Sequence, residues 1–324
     1  MAATTGIGWT DGTVNFHIGC TKVGPGCDGC YAEVFANRKF NIKFGPGERR
    51  MRTLAGYENP LRWQRMHDRG QTTMRQRHAD VPVPRWVFCN SLSDFFDNEI
   101  DQAWRADAWR VIRDTTALRW QIVTKRVGNV AKMLPEDWDG GHNYCHVGII
   151  GTMVNEEEVS RDIGKLLALK LHGVRWVGLS IEPQLGPIIL RQIPIGGGRT
   201  ANAFTGEASN GGHAGGGLDW VICGGESKQG DHAARPFDLD WAVALMDECK
   251  AAGIPFFMKQ FGDNPHQRGE PINGTGKANA DPGKWSPWLR VQQMPTVFDA
   301  DPAYEPKNLP AQKPVLADPG PTLL

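Results

Sequence analysis

The chain of 324 residues carries 36 acidic and 36 basic residues, so its net charge argues neither for nor against a nucleic-acid partner. Its length and its 40% hydrophobic content suit one α/β barrel or two modest domains with a substantial core. It has no run of 18 apolar residues and no signal-peptide pattern at the N-terminus, so we expect no membrane span and a cytoplasmic location.

Short apolar runs rich in Val, Ile, Phe and Trp recur along the chain and predict parallel strands buried on both faces. Helical patterns separate several of them, and such alternation is typical of right-handed β–α crossovers. We therefore predict an α/β fold over residues 1–263, a complete or partial TIM-like barrel of parallel strands with surrounding helices. The predicted strands are 13–18, 85–90, 119–124, 146–151, 175–182, 219–225 and 254–260, and the predicted helices are 98–115, 155–173 and 238–252.

Three segments depart from this alternation. Residues 43–80 form a basic insertion, which suits either phosphate binding or a solvated, mobile surface. Residues 195–218 are rich in glycine and predict a flexible loop. Residues 264–324 are rich in proline and glycine, so we expect an extended or disordered tail that buries little apolar surface.

Polar residues follow almost every predicted strand. In a parallel barrel the carboxyl ends of the strands meet on one side, and the working residues lie there. We therefore expect a functional site at that side, with Glu182 and Lys259 as its most informative members because each directly follows or ends an apolar run.

Three of the seven cysteines lie within GCTKVGPGCDGCYAE, from Gly19 to Glu33. Its glycines and its proline can gather Cys20, Cys27 and Cys30 on one loop. Clustered cysteines in a chain without a predicted export signal are more typical of metal ligands than of disulfides. Two centres fit this spacing: zinc with His17 as a fourth ligand, or an iron–sulfur cluster held by the three thiolates.

The position of the cysteines favours the cluster. They follow the first predicted strand, at the active-site side of the barrel, whereas structural zinc usually stabilises small domains that lack a core. A [4Fe–4S] cluster held by three cysteines keeps one iron free to bind a small molecule and to pass it an electron. The remaining cysteines lie in apolar contexts and are predicted to be buried: Cys89, Cys145, Cys223 and Cys249.

Six blocks, in order, resemble a family of phage and prophage proteins whose members read as radical S-adenosylmethionine (SAM) enzymes. They are GCTKVGPGCDGCYAE, NSLSDFFD, VTKR, LSIEPQLGPI, DWVICGGES and GIPFFMKQFGD, and the similarity runs from about Gly6 to Asp263. The resemblance implies that Cys20, Cys27 and Cys30 hold a [4Fe–4S] cluster. It also implies that SAM binds the open iron through its amino and carboxylate groups.

The resemblance extends to other residues of the predicted site, with two departures. The first cysteine gap is six residues, whereas the commonest loop is Cys-x3-Cys-x2-Cys. The GGE sequence resembles a motif that grips the SAM amino group, but that motif normally follows the second strand and here follows the sixth. The expected cofactor contacts are Ser91, Ser93, Asp94, Thr152, Gly224, Gly225 and Glu226. The expected catalytic residues are Lys125, Glu182 and Lys259.

The substrate is also an expectation from the resemblance, which points to the isomerases of phage thymidine hypermodification. These convert a thymidine that carries a glycyl group through nitrogen into the isomer joined through the α-carbon, and the modified genome resists host nucleases. The partners would be DNA and a reductant such as flavodoxin or ferredoxin, in the host cytoplasm if the chain is phage-encoded. In that case the basic run would hold DNA phosphates, and Trp63, Phe95 and Phe96 could stack an exposed base. Packing in the core or at its rim is the more common role for such aromatic residues.

Two alternatives remain open at this stage. Another radical reaction on nucleic acid, such as methylation or photoproduct repair, would keep the cluster and change the substrate. A non-catalytic zinc-binding nucleic-acid module would keep the cysteines and use His17.

Overall fold

A computed structural model describes residues 4–76, 79–272 and 280–295. The strands are β1 (Gly12–Val14), β2 (His17–Ile18), β3 (Met51–Arg52), β4 (Thr73–Gln76), β5 (Ala79–Pro82), β6 (Trp86–Cys89), β7 (Arg119–Thr124), β8 (Val147–Thr152), β9 (Trp176–Ile181), β10 (Ile193–Pro194), β11 (Thr200–Ala201), β12 (Trp220–Gly224), β13 (Phe237–Asp238), β14 (Phe256–Gln260), β15 (Pro265–Gln267) and β16 (Glu270–Pro271). The α-helices are α1 (Tyr31–Phe40), α2 (Leu54–Asp68), α3 (Gln102–Arg113), α4 (Val127–Val130), α5 (Glu156–Leu167) and α6 (Leu239–Ala252).

Seven strands form one sheet in the order β1-β6-β7-β8-β9-β12-β14, and every pairing in it is parallel. Its spatial order follows the order along the chain, with β1 and β14 at the two edges. The sheet is a half-barrel surrounded by helices. The predicted α/β class is therefore confirmed, as a partial rather than a closed barrel, and each predicted strand contributes to the sheet. The first one, 13–18, is shorter than predicted, because β1 ends at Val14 and His17–Ile18 pairs antiparallel with β3 outside the sheet.

The two faces of the sheet bury different sets of side chains. The outer face and the helices form the main core. The inner face of the half-barrel buries a second cluster rich in tryptophan. Burial on both faces explains why these strands read as nearly continuous apolar runs. The inner cluster contains Trp9, Trp86, Phe88, Ile150, Trp176, Trp220, Ile222 and Phe257.

The long helices begin and end at the capping residues that the sequence indicates. Asn155 accepts a hydrogen bond from the first turn of α5, and Gly173, with φ of 82°, follows the 3-10 turn that continues this helix. Asp238 caps α6, which ends at Gly253 with φ of 70°. Helix α3 begins later than predicted because Asp101 caps it. None of the described helices has the length and apolar character that crossing a membrane requires.

The basic insertion is folded against the half-barrel. It contains β3, α2 and the β4–β5 hairpin. The α2 side chain Trp63 is buried in the main core. The described part of residues 43–80 is therefore built into the fold rather than forming a loose surface segment, although residues 77–78 lie outside the described ranges.

The structure also differs from the expectation for the C-terminal segment. Trp285 stacks on Phe261 with ring centroids 4.4 Å apart, and the Met258 N–H donates to the Val291 carbonyl at 2.8 Å. Residues 264–272 and 280–295 thus bury apolar surface close to β14. The rest of the predicted tail, residues 273–279 and 296–324, lies outside the described residues.

Candidate functional site

A cavity of about 470 Å³ lies at the carboxyl ends of the sheet strands. Its wall brings together residues that are far apart in the sequence, as expected for a half-barrel of parallel strands. One predicted site residue, Gly224, is not among the described residues that line the cavity. It lies in β12, where it pairs with Gln260 of β14. The predicted site residues in the wall are Cys20, Cys27, Cys30, Ser91, Ser93, Asp94, Lys125, Thr152, Glu182, Gly225, Glu226 and Lys259.

The three cysteines lie on one loop between β2 and α1. Cys27 ends a short 3-10 helix, Pro25–Cys27, and Cys30 is the N-cap residue of α1. The free N–H groups at a helix N-terminus carry partial positive charge, which favours a thiolate there. The sequence therefore places one of the three sulfur atoms at the N-terminus of a helix.

Glycines let this loop lie close against its neighbours. A Cβ atom at Gly26 would lie 2.8 Å from the Val154 side chain and 3.1 Å from Lys125 Cε. A Cβ atom at Gly29 would lie 2.6 Å from Glu226 Oε1. The loop therefore packs this closely only with glycine at these positions, because a larger residue at either one would collide with the neighbouring side chains unless they moved.

The chemistry of the donor set fits an iron–sulfur cluster. The three cysteines form no disulfide and line the same cavity. Across residues 4–76, 79–272 and 280–295, no three His, Cys, Asp or Glu side chains are close enough together to hold a single metal ion. Each ligand of a [4Fe–4S] cluster binds a different iron atom, so thiols that surround a common space are suited to such a cluster.

His17 does not join the cysteines. Its ring is fully buried, with Nε2 at 3.0 Å from Asn90 Nδ2 and 3.3 Å from the Asp94 carbonyl. Burial lowers the pKa of His17 to about 4, so the ring is neutral near pH 7. In this structure His17 is part of the core below the loop, and it is not a fourth ligand beside Cys20.

Asp94 joins the ends of two neighbouring strands. Its Oδ1 accepts hydrogen bonds from Thr124 Oγ1 at 2.8 Å and from the Phe96 N–H at 3.0 Å. Its Oδ2 accepts from the Lys125 N–H at 3.0 Å and from Arg126 Nη1 at 3.3 Å. The carboxylate expected to contact the SAM amino group is therefore occupied by protein partners.

Arg126 connects this carboxylate to the cysteine loop. Its Nη1 lies 3.4 Å from Cys20 Sγ, and its Nη2 donates to the Thr21 carbonyl at 2.6 Å. Burial and the Asp94 charge raise the pKa of Cys20 to about 12, while Arg126 acts in the opposite direction. No role is predicted for this arginine from the sequence, although its place in VTKR at the end of β7 is a usable signal.

Lys125 lies in the cavity wall beside the cysteines. Burial alone would lower the pKa of its ammonium, but Cys27, Cys30 and other nearby acidic groups outweigh that effect and raise it. The side chain makes no hydrogen bond to another described residue. A charged donor is thus available to a ligand in the cavity.

Glu182 and Lys259 form an ion pair across the ends of β9 and β14. Their side chains are 17% and 24% exposed, and both line the cavity, so a ligand can reach them. Thr152 and Ser180 lie beside the pair at register-matched positions of β8 and β9. These strand ends present an acid, a base and two hydroxyls to the same space.

Glu226 supports the loop from the opposite side. Its carboxylate accepts hydrogen bonds from Arg235 Nη2 at 2.6 Å and Nε at 2.8 Å. Burial would raise the pKa of Glu226, but the Arg235 hydrogen bonds hold it below its usual value. Arg235 Nη1 also lies 3.3 Å from Asp28 of the cysteine loop. The carboxylate of the GGE sequence therefore acts on the loop through Arg235.

The two predicted serines are tied to the segment that follows β1. The Ser93 hydroxyl donates to the His17 carbonyl at 2.9 Å, and the Ser91 hydroxyl accepts from Asn15 Nδ2 at 3.1 Å. The Tyr31 hydroxyl donates to the Ser91 carbonyl at 2.8 Å. These contacts fix the base of the cysteine loop.

Arg50 of the basic insertion also supports this loop. Its Nη2 lies 2.7 Å from Thr21 Oγ1 and 3.0 Å from Asp97 Oδ2, and its side chain is only 4% exposed. It is therefore unavailable to phosphate. The exposed basic residues of the insertion are Lys43, Arg49, Arg52, Arg62, Arg65, Arg69 and Arg75.

The structure decides two expectations about burial. Trp63, Phe95 and Phe96 are at most 2% exposed in the main core, so core packing is confirmed for them and they cannot stack a DNA base. The burial predicted for Cys145 is wrong. Cys145 is exposed, because it follows a 3-10 turn before β8 rather than lying within a strand. The other three cysteines predicted to be buried are indeed buried: Cys89, Cys223 and Cys249.

Comparisons with known proteins give one match. No curated protein and no solved structure was found to match the chain. Residues 4–293, which include the half-barrel, the cysteine loop and the packed C-terminal segment, match a family described as "Protein of unknown function (DUF5131)". Since this match covers most of its length, the chain belongs to that family.

Proposed function

We propose that the protein is a radical SAM enzyme that modifies phage DNA. In this proposal Cys20, Cys27 and Cys30 hold a [4Fe–4S] cluster, and SAM binds the iron that has no protein ligand. The reaction is the isomerisation of an N-linked glycyl-thymidine to the form joined through the glycyl α-carbon.

One observation carries the proposal. Three free thiols share a cavity with Lys125 and the Glu182–Lys259 pair, at the carboxyl ends of parallel strands. A cofactor held by the loop and a substrate held by the facing strand ends would meet in this space. The resemblance of the six sequence blocks supplies the class of cofactor.

The residues of the chain have distinct roles in this scheme. When bound, the cluster and SAM would supply, after one electron from the reductant, a 5′-deoxyadenosyl radical able to abstract the glycyl α-hydrogen. The N-terminus of α1 and the Arg126 guanidinium place positive charge beside the sulfur ligands Cys30 and Cys20. Trp9 and Phe88 form part of an apolar wall that excludes water from the reacting atoms.

The charged groups in the wall suit an amino-acid substituent. Lys125 presents an ammonium to a carboxylate, and Glu182 presents a carboxylate to an amine. Lys259 holds Glu182 in place until the substrate amine takes over that contact. A glycyl group offers both partners, and loss of its α-hydrogen would give a stabilised carbon radical. The thymidine methylene group would then move from nitrogen to this carbon, so that a C–N bond breaks and a C–C bond forms. The nitrogen-centred radical that results would regain a hydrogen atom from 5′-deoxyadenosine, so the reaction has no net oxidation. The base must leave the duplex to reach this wall.

Anaerobic reconstitution with iron and sulfide tests the cofactor. We expect a brown protein that, with dithionite and SAM, releases 5′-deoxyadenosine. The matched control replaces Cys20, Cys27 and Cys30 by alanine together, and it should lose both colour and product. Equal product from wild type and control would overturn the radical SAM proposal, as would one bound zinc ion without iron.

Nucleoside mass spectrometry tests the substrate. DNA that contains glycyl-thymidine should yield an isobaric nucleoside with a new retention time after incubation with the reconstituted enzyme. An unchanged retention time would remove the isomerase assignment. A product heavier by one methyl group, or repair of a thymine photoproduct, would instead assign one of the other radical reactions.

A further inference from the structure

Exposed apolar side chains concentrate beside the cysteine loop. Val23, Tyr31, Val34 and Phe35 are 46%, 45%, 41% and 39% exposed. Tyr31, Val34 and Phe35 lie at positions i, i+3 and i+4 of α1 and therefore share one helix face. We call these four residues the rim patch. Contiguous apolar surface of this kind usually marks an interaction site.

Basic residues lie next to the rim patch and outnumber its acidic neighbours, of which Glu33 pairs with Lys22 and Asp28 with Arg235. Arg38 and Lys39 follow it on the last turn of α1, and Lys43 and Arg49 lie on the segment that follows. All four are exposed, and within the described residues none of them forms an ion pair. The Gly45 N–H donates to the Cys20 carbonyl at 2.9 Å, so this basic segment is attached to the cysteine loop.

The rim patch is adjacent to the sulfur atoms. Tyr31 directly follows Cys30, the N-cap residue of α1, and its ring lines the cavity. Val34 and Phe35 lie one helical turn further along the same face. A protein seated on this patch would therefore cover the outer side of the loop that carries the three thiols.

We propose that the rim patch is the docking surface for an acidic one-electron-carrier protein that reduces the cysteine-bound centre. The inference rests on the proposed function, because only a redox centre on the loop needs such a donor. An apolar centre within a charged rim is typical of protein interfaces. The basic rim attracts an acidic partner and speeds its encounter.

The composition of the patch favours a protein over DNA. Val23 and Val34 neither stack on bases nor bond to phosphates, whereas they can pack against apolar side chains of a partner. Electron-transfer complexes are small and transient. A patch of four side chains with a basic border is suited to that class.

Binding of the full-length chain to flavodoxin and to a [2Fe–2S] ferredoxin, both acidic, tests the docking surface directly. Calorimetry at low salt needs no catalysis and no loaded cluster. We expect Val34→Glu, and the double variant Arg38→Glu with Lys39→Glu, to weaken the affinity for at least one carrier at least tenfold. The matched controls Leu171→Glu and Lys132→Glu alter exposed residues elsewhere and should bind as wild type does.

A second readout separates this proposal from the proposed function. With dithionite as reductant, the rim variants should release 5′-deoxyadenosine at the wild-type rate, whereas reduction by the carrier should slow at least tenfold. If wild type gives no product with dithionite, the proposed function fails, while carrier binding is still measured independently. Docking is overturned if neither carrier binds wild type or if the rim variants match their controls. It is also overturned if the rim variants lose only DNA binding, which would assign the patch to nucleic acid.

Discussion

The two halves of the cavity wall are built in different ways. On the side of β1, β6 and β7, which we call the braced half, Asp94, Arg126, Ser91 and Ser93 are each bonded to other protein groups. On the side of β8, β9 and β14, which we call the open half, the Thr152 and Ser180 hydroxyls make no hydrogen bond to a described residue. The braced half thus fixes the loop, although its Lys125 side chain makes no hydrogen bond to a described residue. The open half keeps these two hydroxyls available to a ligand beside the Glu182–Lys259 ion pair.

The largest effect should come from breaking the braced half. In Asp94→Asn an amide N–H₂ would meet the donors of Lys125 and Arg126, and the buried guanidinium would lose the nearer of its two carboxylate partners, the other being Asp97 at 3.6 Å. We expect the free energy of unfolding to fall by about 3 to 5 kcal/mol in urea titrations. A loss below about 1 kcal/mol would show that this carboxylate does not hold the strand ends together.

Acid should weaken the braced half by a somewhat smaller amount. The unfolded pKa of His17 is 6.5 and burial lowers the folded value to about 4, so below pH 6.5 the unfolded chain binds a proton that the folded chain does not. Stability is therefore complete above pH 6.5 and falls by about 3 kcal/mol as the pH approaches 4. His17→Gln should flatten this slope in urea titrations at several pH values. An unchanged slope would assign the acid sensitivity to other groups, such as the buried His146.

A substitution in the open half should affect activity rather than stability. Glu182→Gln keeps the size of the side chain but removes the charge that faces Lys259 and the cavity. We expect substrate turnover to fall about 100-fold, while the urea midpoint and the iron content stay at wild-type values. A protein that loses iron or unfolds early would place Glu182 among the bracing residues instead.

Substitutions of two serines, one in each half, should have the smallest effects and form the most closely matched comparison. Ser93→Ala removes a hydrogen bond to the His17 carbonyl and should cost about 1 kcal/mol of unfolding free energy. Ser180→Ala removes a hydroxyl that makes no hydrogen bond to a described residue and should change stability by less than about 0.5 kcal/mol. Equal losses in thermal melts would remove the distinction between the two halves.

Much of the fold could be predicted from the sequence because the sheet is buried on both faces. Apolar runs such as RWQIVT carry the strand signal without help from neighbours. Polar residues at the strand ends then identify one side of the sheet, and the parallel order brings Thr152, Glu182 and Lys259 together there.

The partners of long charged side chains could not be predicted in this way. Glu226 bonds to Arg235, and Arg126 contacts Cys20. These pairings depend on how the loops pack after the sheet has formed. The folding of the basic insertion around Trp63 could not be predicted for the same reason, since the surrounding basic residues suggest an exposed segment. The charge pattern of a segment describes its composition, whereas the burial of a side chain depends on which face of its helix packs against the core.

The incomplete barrel has a consequence for how the protein can change over time. In the gap between the edge strands β1 and β14, Gly6, Ile7 and Trp9 line the cavity, and Trp9 meets Trp220 edge to face. The wall there is an irregular stretch of chain held against β12 and β14 by side-chain contacts, outside the ladder that joins the strands. Its length and residues can therefore change without loss of sheet register, and such a change would alter the width of the cavity while leaving the loop with the thiols in place.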